Sequence, residues 1–344
     1  MSRLFTRVLA RASFAGLMLV LFSSMAAAQY KLTKLVSDQA GVAPHTDPLL
    51  VNAWGLAYGP GGPFWVSDNG SGWSTLYTAT GVEEGLKVQV PTAGGNGPGS
   101  PTGIVFNGSP DSTEFQVQGW ESVFLFATLD GTISGWSFSA NPNAAILAAT
   151  TPGAVYTGLA ITSKATGNLL FAADNANNKV DVFNGSFTLV NSFTDTTLPA
   201  GFSVFGIQDF GGLVYVAFAS SSGAAGGCID IYSESGVLLK QLTHGSPLNQ
   251  PWGFAIAPKN FGPLSNALLV SNNTNGGTIN AFNSVTGQFV GTIRDTAGNN
   301  IVINQLWGIE FGGGSPKDGF TNELFYTAGP DNNLAGTFGK IRFE

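Results

Sequence analysis

The chain has 344 residues, of which 10% are charged and 47 are glycine, and its formal net charge is −7. An acidic surface repels phosphate backbones and anionic lipid, so nucleic acid is not an expected partner. The single cysteine, Cys228, leaves no internal disulfide, and a chain of this length can hold its core by packing alone.

Residues 1–28 stand apart from the rest. Arg3, Arg7 and Arg11 form a positive start, residues 12–23 are mostly apolar, and Ala26-Ala27-Ala28 offers a small-residue cleavage site before Gln29. That is the layout of a Sec-type signal peptide cut after Ala28, and the apolar run is short for a membrane anchor of about 20 residues. A secreted or periplasmic protein is expected, with no membrane span after cleavage. Removing 1–28 takes away three arginines and no acid, which deepens the net charge to −10. Residues 29–344 are expected to form one monomeric domain.

Residues 30–36, Tyr30-Lys31-Leu32-Thr33-Lys34-Leu35-Val36, alternate as a strand does. From residue 54 onward a repeat takes over. Trp54-Gly55-Leu56, Thr102-Gly103-Ile104, Thr157-Gly158-Leu159, Phe205-Gly206-Ile207, Trp252-Gly253-Phe254 and Trp307-Gly308-Ile309 place a glycine before an apolar residue six times. The glycines are 48, 55, 48, 47 and 55 residues apart. A β-rich period near 50 is what four-stranded propeller blades give. Each glycine strand is followed by an apolar run, such as Leu169-Leu170-Phe171. An alternating run follows, such as Lys179-Val180-Asp181-Val182-Phe183, and then a fourth strand. The sixth repeat lacks a fourth strand, which residues 30–36 can supply. The fold expected is all-β: a six-bladed β-propeller closed by its N-terminal strand, with no exposed sheet edge left at the closure. Residues 107–122, 257–267 and 312–322 are insertions after the first strands. The glycines allow close backbone approach near the axis, and the Trp or Phe before them is expected to fill space between adjacent blades.

Two stretches carry a family resemblance. One is the run 34–57, with His45-Thr46-Asp47-Pro48 and Asn52-Ala53-Trp54-Gly55 at its heart; the other is Phe64-Trp65-Val66-Ser67-Asp68-Asn69-Gly70. Together they resemble an uncharacterised family of exported bacterial propeller proteins, some of which carry a PEP-CTERM sorting tail. More loosely, the repeats are similar to NHL-type six-bladed propellers. The resemblance implies the fold and brings no activity or catalytic residues. The stretch up to Glu344 has no Pro-Glu-Pro motif, so sorting by that route is not expected.

The candidate site residues fall in loops. The turns between second and third strands hold Asp68-Asn69, Asp130, Asp174-Asn175, Asn272-Asn273 and Asp331-Asn332, while the fourth blade offers Ser220-Ser221. Asp and Asn are ordinary turn residues. Asp68, Asp174, Asn272 and Glu310 are also candidate ligands for Ca²⁺, which prefers six to eight oxygens. Glu310 and Gln208 stand two residues after their glycines, where other blades have Ala or Val. His45, His244 and Glu310 are candidate acid–base groups. Asn52, Trp54, Asn249, Trp252, Asn304 and Trp307 are candidate ligand-facing residues, although each Asn can equally tie loop backbones and each Trp can be core. Cys228 lies in an apolar-alternating run and is expected to be a buried, inert thiol. There is no Gly-x-Ser-x-Gly, His-Glu-x-x-His, paired-Cys or phosphate-loop motif.

Two functions follow. One is a binding or scaffold propeller for a peptide, glycan or other cell-surface ligand; the other is a Ca²⁺-assisted, lactonase-like hydrolase working at the axis. The deepest polar depression is expected at the end of the axis bearing His45 and Asp68, with Glu310 in reach of it.

Overall fold

The computed structural model describes residues 29–344, so the expected signal peptide lies outside the described residues. Six sheets are arranged as blades around an axis. Their innermost strands are Ala53–Tyr58, Pro101–Phe106, Tyr156–Ile161, Phe202–Asp209, Pro251–Ile256 and Leu306–Phe311, numbered here as blades 1 to 6. Each blade is an antiparallel meander of four strands; blade 6 borrows Tyr30–Ser37 as its fourth, and the two-residue strand His45–Thr46 adds to it in parallel as a fifth. That strand pairs with Thr337–Phe343 in the register Tyr30↔Phe343, Leu32↔Ile341 and Ser37↔Thr337. The N-terminal strand therefore closes the ring, and the Tyr30 hydroxyl donates to the Phe261 carbonyl at 2.7 Å in the neighbouring blade. Among the described residues no helix is long and apolar enough to cross a membrane.

The ring glycines are where neighbouring backbones touch. A Cβ on Gly206 would lie 1.9 Å from the Trp252 carbonyl oxygen, one on Gly103 2.3 Å from the Leu159 nitrogen, and one on Gly55 2.4 Å from the Thr102 carbonyl oxygen. On Gly308 it would lie 2.8 Å from the carbonyl oxygen of Trp54, which brings the last blade back to the first. No side chain fits in such gaps.

Hydroxyls lace the same seam. Thr102 Oγ1 donates to the Tyr156 carbonyl at 2.7 Å and Thr157 Oγ1 to the Phe205 carbonyl at 2.8 Å. Where Trp precedes the glycine, this position has no hydroxyl. In blades 5 and 6 a hydroxyl on the second strand takes over: Ser271 Oγ donates to the Trp307 carbonyl and Thr327 Oγ1 to that of Trp54, whereas Ser67, the equivalent residue of blade 1, is buried with its hydroxyl unpartnered. In blades 5 and 6 the Thr–Trp exchange therefore keeps a hydroxyl bond to the next blade while freeing the indoles for the axis.

The Asp-Asn turns are clamps as well. Asn69 Nδ2 donates to the Pro101 carbonyl at 3.1 Å, Asn175 Nδ2 to that of Val204 at 2.7 Å, and Asn273 Nδ2 to that of Leu306 at 3.3 Å. Each bond runs to the following blade. The residue before each Asn serves its own blade: Asp174 Oδ1 accepts from the Val155 N–H and Asn272 Oδ1 from that of Asn249. In blade 6 the corresponding turn is left-handed, with φ of 57° at Asp331, 56° at Asn332 and 68° at Asn333. Asn and Asp are the non-glycine residues that tolerate this conformation best.

Candidate functional site

The axis has two unlike ends. At the starting end of the inner strands, Ala53 is paired with Asp68, Tyr156 with Asp174 and Pro251 with Asn272. At the finishing end Tyr58 is paired with Phe64, and Glu310 is next to the last pair, opposite Phe325.

Indoles fill the axis toward the starting end. Trp54 and Trp307 stack with ring centroids 3.6 Å apart and planes at 19°, and Trp252 stands edge-on to both, at 6.2 and 5.6 Å. Phe205 and Leu129 pack against the trio. Trp252 Nε1 donates to the Thr157 carbonyl at 2.9 Å, reaching a blade that is not its neighbour. These residues were expected to wedge between adjacent blades or to face a ligand. Instead they converge from blades 1, 5 and 6 on one point, at no more than 8% exposure each. Such close ring geometry is core packing. The flanking amides serve the loops. Asn52 Nδ2 donates to Asn69 Oδ1 at 3.0 Å, and Asn304 Oδ1 accepts from the Gly276 N–H at 2.9 Å. Asn249, tied through its own N–H, leaves its buried Oδ1 without a partner.

The axial depression opens at the other end, contrary to the sequence-based expectation. It encloses about 320 Å³ and is lined by Tyr58, Pro60, Phe106, Ile161, Gln208 and Glu310, among others. A narrow well of about 30 Å³ continues down the axis past the same Gln208 and Glu310 to Gly55, Gly103, Gly253, Gly308 and Trp252. The depression is thus the mouth of a blind funnel whose floor is glycine and indole. Burial pushes the Glu310 carboxyl up to about 8, against a bond from the Phe311 N–H that lowers it. Burial also raises the Tyr58 phenol, as do the nearby carboxylates of Glu310 and Asp318. The site accordingly gathers a carboxyl whose ionisation burial disfavours, a phenol and the Gln208 amide.

The other candidates lie elsewhere. His45 is exposed and lies toward the starting end, on the outer wall, paired in parallel with Val36 at the edge of blade 6. His244 ends the outermost strand of blade 4, where its Nε2 is 3.1 Å from Asp230 Oδ1. Neither histidine lines the axial depression. Asp230 is buried; burial raises its carboxyl to about 7, eased by the His244 bond and raised further by Asp195. Cys228, its neighbour on the same strand face, is buried and free, and burial raises its thiol to about 11.

The four candidate cation ligands do not come together. Asp68, Asp174 and Asn272 sit in turns of blades 1, 3 and 5 at the starting end, and Glu310 is at the finishing end. Among the described residues no three His, Cys, Asp or Glu side chains group so as to share a metal ion. Asp68 accepts from Thr75 Oγ1 at 2.8 Å, while its Oδ1 is buried and partnerless, and burial holds its carboxyl well above the usual range.

Comparison with known proteins agrees with the fold. No family model matches the chain. An uncharacterised protein of Acanthamoeba polyphaga mimivirus is 29% identical over 332 residues, covering 91% of this chain and 80% of its own length. A second from the same virus is 26% identical, covering 92% and 86%. Among solved structures, a streptogramin B lyase aligns with a TM-score of 0.53 at 12% identity, over 93% of this chain and all of its own. The PQQ-bound aldose sugar dehydrogenase of Streptomyces coelicolor aligns with a TM-score of 0.53 at 14% identity, over 92% and 99%. At such identities the likeness is one of fold alone.

Proposed function

We propose that this chain is an exported binding propeller that takes an uncharged, hydroxyl- or amide-bearing group into the axial depression at the finishing end. One observation carries this reading. At the six equivalent positions two residues after the ring glycines stand Ala57, Val105, Ala160, Gln208, Ala255 and Glu310. The two polar members, from different blades, line the same depression and the same well. A concave, mostly apolar site with a few convergent polar groups is the usual form of a ligand site. The 1–28 segment and the likeness of residues 34–70 to exported bacterial propellers support export.

Hydrolysis assisted by Ca²⁺ is less well supported, because such an ion wants six to eight oxygens and the depression offers one carboxyl and one side-chain amide. The lyase chemistry of the streptogramin-type neighbours does not transfer either. One of those structures is a catalytically inactive histidine variant bound to quinupristin, and here neither histidine lines the axis. Titration calorimetry of Gln208→Ala and Glu310→Ala against neutral sugars and short uncharged peptides tests the proposal. Loss of binding with an unchanged melting temperature supports it. Binding that survives both substitutions overturns it.

A further inference from the structure

The exposed aromatic side chains among the described residues are not scattered evenly. Trp120 (53% exposed), Phe138 (67%), Phe289 (45%) and Phe320 (69%) all stand toward the finishing end. Trp120 and Phe320 lie in insertions that follow first strands. Phe138 follows Trp136, which is paired with Phe124 and through it with Phe106; Phe289 is paired with Phe282, which leads through Leu268 to Ile256. The finishing end also exposes aliphatic residues such as Val82, Val123, Val237 and Val285, whereas the starting-end loops expose Val42, Val302 and Leu334 and no aromatic of this set. Isolated exposed apolar residues need no explanation, but the gathering of the exposed aromatics at one end does.

The same end has a second hollow. A cleft of about 400 Å³ lies between the Ala79-Thr80 turn of blade 1 and the 312–322 insertion of blade 6, walled by Gly319 and Phe320. Glu323 and Lys340 form its polar floor and neutralise each other at 2.7 Å. The insertion also borders the axial depression: a Cβ on Gly313 would come within 2.7 Å of Tyr58 Cε2. One loop therefore separates two adjoining hollows.

We infer that the finishing end binds an uncharged linear polysaccharide, with one sugar unit in the axial depression and further units across the insertion to the Phe320 cleft. This rests on the axial binding reading and extends it to a ligand class. Three features select that class. Exposed aromatic faces stack on the C–H faces of sugar rings, while Gln208, Tyr58 and the Glu310 carboxyl exchange hydrogen bonds with hydroxyls. The fixed charges at the cleft are paired, Glu323 with Lys340 and Glu84 with Lys317, in a chain that is acidic as a whole, which disfavours a polyanion. A peptide bound by strand addition needs a free strand edge. The long outermost strands that offer such edges run along the side wall, away from the axis.

The test uses the secreted chain and three probes: glucan oligosaccharides of two to six units, a carboxylated polyuronate, and uncharged pentapeptides. Affinity for the glucans is expected to grow with length, with Phe320→Ala lowering hexasaccharide affinity by roughly fivefold or more and cutting the hexasaccharide-to-disaccharide ratio. Length-independent glucan binding, an unaltered ratio in Phe320→Ala, or a preference for polyuronate or peptide overturns the polysaccharide inference. If such binding still depends on Glu310, the axial reading stands without it; if no ligand depends on Glu310, both fall.

Discussion

Trp54 and Trp307 stack at 3.6 Å between centroids, although one opens the first blade and the other the last. Their contact closes the ring in a second way, alongside the strand Tyr30–Ser37. It also decides which end of the axis can hold a ligand, because the indoles occupy the space that would otherwise be a channel.

Removing an indole from this trio should therefore cost stability. Trp307 is 3% exposed and touches both other indoles. Trp307→Ala is expected to destabilise by about 3–5 kcal/mol, as large aromatic-to-alanine changes in cores do. Denaturant unfolding with an unchanged slope measures it. A loss below about 1 kcal/mol accompanied by lost ligand binding would return the indoles to the ligand-facing role the sequence suggested.

The ring glycines should differ among themselves. Gly206→Ala places a methyl 1.9 Å from the Trp252 carbonyl oxygen, a rigid backbone atom. At Gly158 the nearest atom, Ile207 Cγ2, is 3.3 Å away and can turn aside. Gly206→Ala is expected to cost about 3 kcal/mol or more and Gly158→Ala about 1 kcal/mol or less, following the cost of overpacking. Thermal melts of the two variants side by side decide the matter, and equal losses would show that the seam relaxes uniformly.

Deleting residues 29–36 should open the ring. It strips the partner from Ile341 and removes the Tyr30 hydroxyl from the Phe261 carbonyl. An unpaired apolar edge invites association. A lower melting temperature and concentration-dependent aggregation in light scattering are expected. An unchanged melt and a clean monomer would mean that closure does not depend on this strand.

The fold was legible because close backbone contact forces glycine at positions such as Gly55, Gly103 and Gly206, so the repeat shows where the blades meet. The closing strand was legible because residues 30–36 alternate and the sixth repeat runs out. Gln208 and Glu310 stood out as polar members of an apolar set. Which end they serve was not legible: a Trp before a glycine can wedge between blades or lean into the axis, and only its neighbours decide. Neither His45 nor His244 reaches the axial depression, for a metric reason. His244 is on an outermost strand three strand spacings, or about 14 Å, from the innermost one, and His45 is on a fifth strand of its sheet, four spacings or about 19 Å out. The Asp-Asn turns posed a third ambiguity, since an amide that clamps the next blade and one that binds a ligand have the same sequence.

The acidity of Glu310 gives a prediction with a definite sign. Its carboxyl is raised from 4.5 to about 8 in the folded chain by burial. Below the unfolded value both states hold the proton and the full stability is present. Between pH 4.5 and about 8 the unfolded state releases the proton while the folded state keeps it, so this group makes stability fall as pH rises. Above that range both states are ionised and its contribution levels off. Glu310→Gln cannot ionise and should flatten this part of the profile, leaving the variant less sensitive than the parent between pH 5 and 8. Asp230, raised to about 7, adds a slope of the same sign, so the parent profile will not become flat in the single variant. Ligand binding should follow the same titration from the other side. The protonated acid can donate a hydrogen bond and the carboxylate cannot, so affinity in the parent is expected to decline through pH 8 and in Glu310→Gln to remain level. Urea midpoints at several pH values, with calorimetry at pH 6 and 9, measure both effects. A parent and a variant with parallel stability profiles would show that Glu310 ionises freely in the folded chain, and the uncharged character of the axial site would go with it.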